Sequence, residues 1–155
     1  MAEPKLITPE NRLAAVRGRD GDPTIESMAR AAEKRVAALG PSLRAHVNHQ
    51  CRLIRELAAA DDDTLLANAQ AIGEAARSVC EVAGAAGMSA AGEAARGIFA
   101  MIDAWRASGL WHAEGLRLHV GALALLQTDC PPGRAESEKI LARLKAMREW
   151  AGVGL

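Results

Sequence analysis

The sequence predicts an all-α fold, an antiparallel bundle of helices. Apolar residues recur at intervals of three or four along most of the chain, and no stretch shows the alternation of apolar and polar residues that marks a half-buried strand. Half of the residues are apolar, which is enough for a core. Because the chain contains one Phe and no Tyr, that core must be built mainly from aliphatic residues and methionine. Such a composition is typical of helices.

One domain and an N-terminal arm are predicted for the 155 residues. The arm, residues 1–22, is interrupted by Pro4 and Pro9 and leads into the helices through the turn-forming stretch RGRDGDP. The helical domain is predicted to span residues 23–151. Short loops between its helices favour antiparallel neighbours.

Two helices are predicted in the first part of the domain. The first begins at Asp22, a favourable N-cap, with Pro23 in its first turn, and it ends at the helix-breaking pair Gly40 and Pro41. Its apolar stripe consists of Ile25, Met28, Ala32, Val36 and Leu39. The second helix runs from about residue 42 to residue 59. One of its faces carries Leu43, His46, Val47, Gln50, Ile54 and Leu57.

A third helix follows the acidic run at residues 61–63, whose carboxylates suit the positive end of a helix dipole. Gly87 is predicted to end it as the left-handed residue after the last turn. The stripe expected to face the core is Leu65, Ala69, Ile72, Ala76, Val79 and Ala83.

Three further helices complete the predicted bundle. The fourth begins at Ser89 as N-cap and ends near Gly109. The fifth, from about residue 111 to residue 128, is apolar on two sides, so it is expected to be covered over most of its circumference. The sixth runs from residue 135 to about residue 151. Its inner stripe is Ile140, Leu144, Met147 and Ala151.

The face of the third helix opposite its core stripe carries few large side chains. Glycine in a helix interior costs about 1 kcal/mol relative to alanine, so its repeated use here indicates that something approaches this helix closely. Three interpretations are open: another helix of the same bundle packs against the face, the Ala and Gly content reflects a GC-rich genome, or the face is a shallow groove in which a partner protein docks. The face and its flanks comprise Gly73, Glu74, Arg77, Cys80, Glu81 and Gly84.

The segment ARSVCEVAGAAGM of the third helix resembles, in degenerate form, the functional helix of histidine-containing phosphotransfer (HPt) domains. In these four-helix bundles a His-x-x-Lys-Gly motif is followed by small residues and a closing glycine. Gly87 matches the closing glycine and Gly84 an earlier small position. Arg77 occupies the place of the histidine, Cys80 that of the lysine and Glu81 that of the motif's glycine.

The likeness extends over about residues 5–127. The following helix, SAAGEAARGIFAMIDAW, resembles the helix after the motif. The segments LITPENRLAAV and LRLHVGALALL are similar to parts of small HPt-like proteins from alphaproteobacteria. The resemblance implies an HPt-like four-helix core with additional N- and C-terminal helices.

The resemblance also implies a non-catalytic interaction protein in bacterial two-component signalling, in a phosphorelay or in chemotaxis. Arginine has no nucleophilic lone pair, so Arg77 cannot accept a phosphoryl group. Its guanidinium can pair bidentately with the carboxylate cluster of a receiver domain. The expected partner is therefore the receiver domain of a response regulator, or a histidine kinase. Alternatively, Arg77 pairs only with Glu74 and Glu81 on its own helix.

Two other functions stay open. One is an active histidine phosphotransferase whose phosphoacceptor lies outside the motif; the candidates are His46, His49, His112 and His119. The other is a homodimeric helical scaffold whose small-residue face forms the self-association contact. His46 is expected to form a hydrogen-bonded core pair with Gln50, His119 to be buried and satisfied, and His112 to be exposed.

No catalytic residue, cofactor, metal or nucleic-acid partner is predicted. Acidic and basic residues balance at 19 each, which offers no general attraction for nucleic acid. His46 and His49 lack a second pair of metal ligands, and no glycine loop for phosphate is present. No apolar run approaches the length of a membrane span, and no apolar leader is found. A cytoplasmic location is expected, with Cys51, Cys80 and Cys130 reduced.

Overall fold

The computed structural model describes residues 24–128 and 131–153 and confirms the all-α prediction, because this part of the chain holds six helices and no strand. The helices are α1 (Ile25–Ala58), α2 (Asp62–Ala67), α3 (Ala69–Val82), α4 (Ser89–Ser108), α5 (Ala113–Leu126) and α6 (Arg134–Trp150). None of the six combines the length and the apolar character that a membrane crossing requires. The predicted arm, residues 1–22, lies outside the described residues.

The chain divides into two compact units, residues 1–35 and 36–155. In the first unit, the described residues form the beginning of α1, and Thr24 caps it. The Ser27 amide donates to Thr24 Oγ1 at 3.1 Å, and the Ser27 hydroxyl donates to the Thr24 carbonyl at 2.8 Å. The predicted cap Asp22 and the adjacent Pro23 lie outside the described residues.

The predicted break at Gly40 and Pro41 is wrong, since α1 continues through both residues. Proline removes one backbone donor, and its ring pushes against a carbonyl in the preceding turn. Pro41 is exposed, so water can hydrate the carbonyl that loses its partner. The helix therefore tolerates the proline.

In the second unit, the apolar side of α1 is buried in its C-terminal part. Val47 and Ile54 are fully enclosed, and Cys51 and Ala58 are nearly so. A helical repeat of this kind normally marks a side that faces a core. Two large side chains of the first unit depart from that rule, since Ile25 and Met28 expose 63% and 57% of their surface. At the start of the second unit, Val36 and Leu39 expose 46% and 55%.

Two helices, α2 and α3, replace the single third helix of the prediction, and they meet at Asn68. The Asp61 carboxylate caps α2 by accepting hydrogen bonds from the Thr64 amide at 3.0 Å and the Thr64 hydroxyl at 3.2 Å. The bond from the Thr64 amide is the main cause that lowers the pKa of Asp61. Gly87 adopts the left-handed conformation, with φ of 73°, and closes the turn that follows α3, at the position predicted for the end of the third helix.

The central helix of the second unit is α4, which contacts α3, α5 and α6. It begins at the predicted residue Ser89, but Met88 takes the N-cap position, and none of the described side chains caps the helix. It ends as predicted at Gly109, which has φ of 74°. Small residues dominate its buried surface and let neighbouring helices come close. They include Ala91, Gly92, Ala94, Ala95, Gly97 and Ala100.

One side of α5 is buried and the other is open. Leu116 and Leu123 are enclosed, whereas Leu118 and Leu125 expose 60% and 57% of their surface. The expectation that α5 is covered over most of its circumference is therefore wrong, because its described neighbours pack against one side only. The predicted inner stripe of α6 is buried or half-buried at every position: Ile140, Leu144, Met147 and Ala151.

Candidate functional site

The exposed face of α3 carries three charged side chains, Glu74, Arg77 and Glu81. Arg77 Nε lies 3.1 Å from Glu81 Oε1, and the two side chains are 69% and 62% exposed. Glu74 accepts a hydrogen bond from the Gln70 amide group at 3.0 Å. An exposed ion pair between residues four apart on a helix stabilises by only a few tenths of a kcal/mol. Arg77 is therefore free to exchange Glu81 for a stronger partner at little cost.

Gly84 lies in the turn that follows α3, and it is exposed. A Cβ atom built on Gly84 would meet no described atom within 4 Å. The backbone at this point is thus accessible to another molecule. We call Glu74, Arg77, Glu81 and Gly84 the α3 face.

Gly73 does not belong to the α3 face, which corrects the predicted groove. It is buried, and a Cβ on it would lie 3.3 Å from Cγ2 of Ile102 on α4. At about 100° per residue, Gly73 lies only about 60° from Ala76 in the middle of the core stripe. The glycine accommodates a helix of the same bundle, which was the first of the three alternatives for this surface.

Cys80 also turns towards α4. The residue is half-buried, and its Sγ lies 3.6 Å from the Gly92 carbonyl oxygen. Burial is the main cause that raises the pKa of its thiol. Cys80 is therefore a poor nucleophile at neutral pH.

The small residues of α3 and α4 are explained by the close approach of these two helices. A Cβ on Gly92 would lie 2.9 Å from Cβ of Ala83, closer than side-chain carbons normally come. Ala76, Val79 and Ala83 are completely enclosed. Small side chains on both helices allow the contact, so the small residues of α3 are explained by its packing against α4.

His46 lies on the surface beside α3, not in the core with Gln50 as predicted. It is exposed, and its Nε2 lies 2.8 Å from Ser78 Oγ. His49, one turn further along α1, is exposed as well. His112 is half-buried instead of exposed, with an Nε2 atom that finds no hydrogen-bond partner among the described residues.

His119 is fully buried and hydrogen-bonded, as predicted. Its Nδ1 lies 2.9 Å from the Gly115 carbonyl oxygen, and its Nε2 lies 3.0 Å from Nη1 of Arg148. Because a carbonyl oxygen accepts and a guanidinium donates, the ring must carry its proton on Nδ1 and accept at Nε2. Burial lowers the pKa of His119, and the nearby charge of Arg148 acts in the same direction. His119 is thus neutral and unsuited to accept a phosphoryl group from another protein.

Arg148 is a buried residue that sequence reasoning missed. It exposes 7% of its surface and reaches into the core against Gly97 of α4. A Cβ on Gly97 would lie 2.5 Å from Cδ2 and 2.7 Å from Nε2 of His119. Its position could have indicated burial, because Arg148 follows Leu144 by four residues and so lies on the same side of α6.

The two cysteines in the described part of the chain, Cys51 and Cys80, do not form a disulfide with each other. Burial raises the pKa of Cys51 to about 12, so its thiol is inert at neutral pH. Cys130 lies outside the described residues.

No protein-family model, curated protein or solved structure matches this chain.

Proposed function

We propose that this protein is a non-catalytic, HPt-like interaction protein of bacterial two-component signalling, which includes phosphorelays and chemotaxis. It binds the receiver domain of a response regulator, or a histidine kinase, through the α3 face. The proposal rests on the position of Arg77. In HPt domains, which this segment resembles, the phosphoacceptor histidine occupies this place, and here Arg77 lies on an exposed part of α3. Arginine at this position retains a docking surface but excludes phosphotransfer.

The chemistry of Arg77 fits an acidic partner site. Its guanidinium offers planar, bidentate donors for carboxylates, and the active site of a receiver domain is a cluster of carboxylates. The side chain is 69% exposed and held only by Glu81, so a partner carboxylate can replace Glu81. The open backbone at Gly84 allows the partner to come close to the helix.

Binding of a panel of bacterial receiver domains, measured by calorimetry, tests the proposal. Arg77→Ala is expected to weaken binding by about tenfold or more, as for a charge-assisted contact. Arg134→Ala is a matched control, because Arg134 also pairs through Nε with a glutamate four residues on, at 2.9 Å, but on α6. The control should bind as the unchanged protein does. Equal affinities for Arg77→Ala and Arg134→Ala would overturn the role of the α3 face.

A second candidate function, active phosphotransfer, is favoured by one observation. His46 is exposed beside α3, and Ser78 Oγ lies 2.8 Å from its Nε2 and orients the ring. In such a reaction an imidazole nitrogen of His46 attacks the aspartyl phosphate of a receiver. The new N–P bond forms as the bond from phosphorus to the carboxylate oxygen breaks.

Incubation with a phosphorylated receiver separates the two functions. The interaction protein is expected to carry no acid-labile phosphate after incubation. Phosphohistidine that disappears in His46→Gln and persists in the control His49→Gln would establish phosphotransfer and contradict the non-catalytic proposal.

A further inference from the structure

The α3 face contains an acceptor for its own arginine. Arg77 Nε lies 3.1 Å from Glu81 Oε1, so the guanidinium already donates to a carboxylate before any partner binds. A carboxylate of a partner is the same chemical group as that of Glu81 and accepts the same hydrogen bonds. A partner that binds Arg77 through this atom must therefore first displace Glu81.

Glu74, the other acid of the α3 face, has a different contact. Its carboxylate accepts a hydrogen bond from the side-chain amide of Gln70 at 3.0 Å. At 1.5 Å per residue, Glu74 lies about 4.5 Å from Arg77 along the helix axis, and Glu81 lies about 6 Å from it on the other side. The two acids thus flank Arg77 at similar distances, but it is Glu81 that contacts its guanidinium.

We propose that Glu81 is an internal competitor that lowers the affinity of the α3 face for the carboxylate cluster of a receiver domain. The competitor role rests on the proposed function, because it takes Arg77 as the residue that enters this cluster. Binding exchanges one carboxylate for another at Arg77, so only the difference between the two contacts contributes to the affinity. Glu81 therefore sets how favourable the contact with the partner has to be.

The exposure of the ion pair determines the size of the effect. The Arg77 and Glu81 side chains are 69% and 62% exposed. An exposed pair four residues apart on a helix forms with an equilibrium constant of about two, so Arg77 is unpaired in about one third of the molecules. When one third of the molecules are ready to bind, the apparent affinity is about threefold lower than the intrinsic one. Repulsion between Glu81 and the carboxylates of the partner acts in the same direction.

Glu81→Gln tests the competitor role, with calorimetry against the receiver domain of the panel that binds the unchanged protein most tightly. The amide keeps the size of the side chain but loses the charge that holds the guanidinium. Binding is expected to become about two- to fivefold tighter. A buffer with 0.15 M salt screens charges beyond about 8 Å and so limits the effect of the net-charge change alone.

Two further variants separate competition from general charge effects. Glu138→Gln is the matched control, because Glu138 is also 62% exposed and accepts from Nε of Arg134 at 2.9 Å, but on α6. It changes the net charge by the same amount and should leave the affinity unchanged. Glu74→Gln removes an acid beside Arg77 that is not its hydrogen-bond acceptor, so it measures repulsion and should tighten binding less than Glu81→Gln does.

A double-mutant cycle with Arg77→Ala isolates the exchange at the guanidinium. In the Arg77→Ala protein no guanidinium is left to compete for, so Glu81→Gln should tighten binding no more than Glu74→Gln does. If the full gain of Glu81→Gln persists in this background, Glu81 acts by repulsion alone and the competitor role is overturned. Weaker binding of Glu81→Gln would overturn it as well, because Glu81 would then position Arg77 for the partner.

The carboxyl carbon of the Glu81 side chain reports the exchange directly by NMR. On addition of the receiver domain, its resonance in the unchanged protein is expected to move towards the position that it has in free Arg77→Ala. A resonance that keeps its position at saturation would show that Glu81 stays on Arg77, which contradicts the exchange.

The failure of this role and the failure of the proposed function give different results. If every receiver domain of the panel fails to bind, the proposed function is contradicted, and the competitor role with it. If a receiver domain binds and loses affinity with Arg77→Ala, but binds Glu81→Gln no more tightly than the unchanged protein, the competitor role alone is overturned.

Discussion

Arg148 Nη1 lies 3.0 Å from His119 Nε2, and this hydrogen bond joins α6 to α5 inside the core. His119 is completely enclosed and Arg148 exposes 7% of its surface. Burial is the main cause that lowers the pKa of Arg148, while the carboxylates of Glu149 and Glu93 oppose this shift. The pair is the main polar contact within the described core.

The free energy of unfolding is expected to decrease in mild acid. Because burial lowers the pKa of His119 from its usual 6.5, the unfolded chain takes up a proton in a pH range where the folded chain does not. The stability contributed by neutral His119 is therefore complete above pH 6.5 and is lost as the pH falls from there through the folded-state pKa. Urea denaturation at a series of pH values measures the effect.

Two histidine variants test whether His119 causes this pH dependence. His119→Gln keeps a hydrogen-bond acceptor but cannot be protonated, so stability should vary less below pH 6.5 than in the unchanged protein. His49→Gln, at an exposed position, should retain the full variation. The same variation in His119→Gln as in the unchanged protein would show that another group is responsible.

Arg148→Ala is expected to destabilise the fold by about 1–3 kcal/mol, since it leaves the buried Nε2 of His119 without its donor. Replacing both residues, as in Arg148→Leu with His119→Leu, should cost less than the sum of the two single replacements because no unpaired polar group remains. Chemical denaturation of the four proteins provides the comparison. Additive costs would mean that the two side chains are not coupled.

Gly97→Ala is expected to destabilise by about 1–3 kcal/mol, as overpacking of a core does. The added methyl group would contact the imidazole of His119 and the guanidinium of Arg148, and both residues are buried. Gly121→Ala is the control on a neighbouring helix, because its Cβ would meet no described atom within 4 Å. The control should be stabilised by about 0.5–1 kcal/mol. Thermal denaturation that ranks Gly97→Ala above Gly121→Ala would contradict the packing described for Gly97.

Helical periodicity and glycine signals predicted the fold class and several helix ends. Gly87 and Gly109 end their segments in the left-handed conformation, as a glycine after a final helical turn usually does. The break at Pro41 was predicted wrongly because a single proline removes only one donor, and an exposed helix can bear that loss. The sequence of a helix does not show which of its apolar sides another element covers. The exposure of Leu118 and Leu125 on α5 could therefore not be predicted from it.

The candidate site was predicted in part. Arg77, Glu74, Glu81 and Gly84 are exposed as expected, whereas Gly73 and Cys80 turn towards α4. Those two positions lie at the edge of the buried side of α3, where a modest rotation of the helix decides between burial and exposure. The burial of His119 followed from its apolar neighbours. Its partner Arg148 did not, because the two residues are 29 positions apart in the sequence.

Thiol labelling of the folded protein is expected to be slow at both described cysteines. Burial raises the pKa of Cys51 to about 12 and raises that of Cys80 as well, so little thiolate is present at neutral pH. Cys80 is half-buried and should react faster than Cys51, which exposes 5% of its surface. Iodoacetamide labelling followed by peptide mass spectrometry measures both rates. Labelling of Cys80 at the rate found in denaturant would contradict its contact with Gly92.

The most direct test of the proposed function is to map the bound surface by NMR, with isotope-labelled protein titrated with an unlabelled receiver domain. Backbone shift changes are predicted to concentrate at Glu74, Arg77, Glu81 and Gly84, and to be absent from the exposed side of α5 that carries Leu118 and Leu125. Shift changes centred on that side of α5, or no changes with any receiver domain of the panel, would contradict the role assigned to the α3 face.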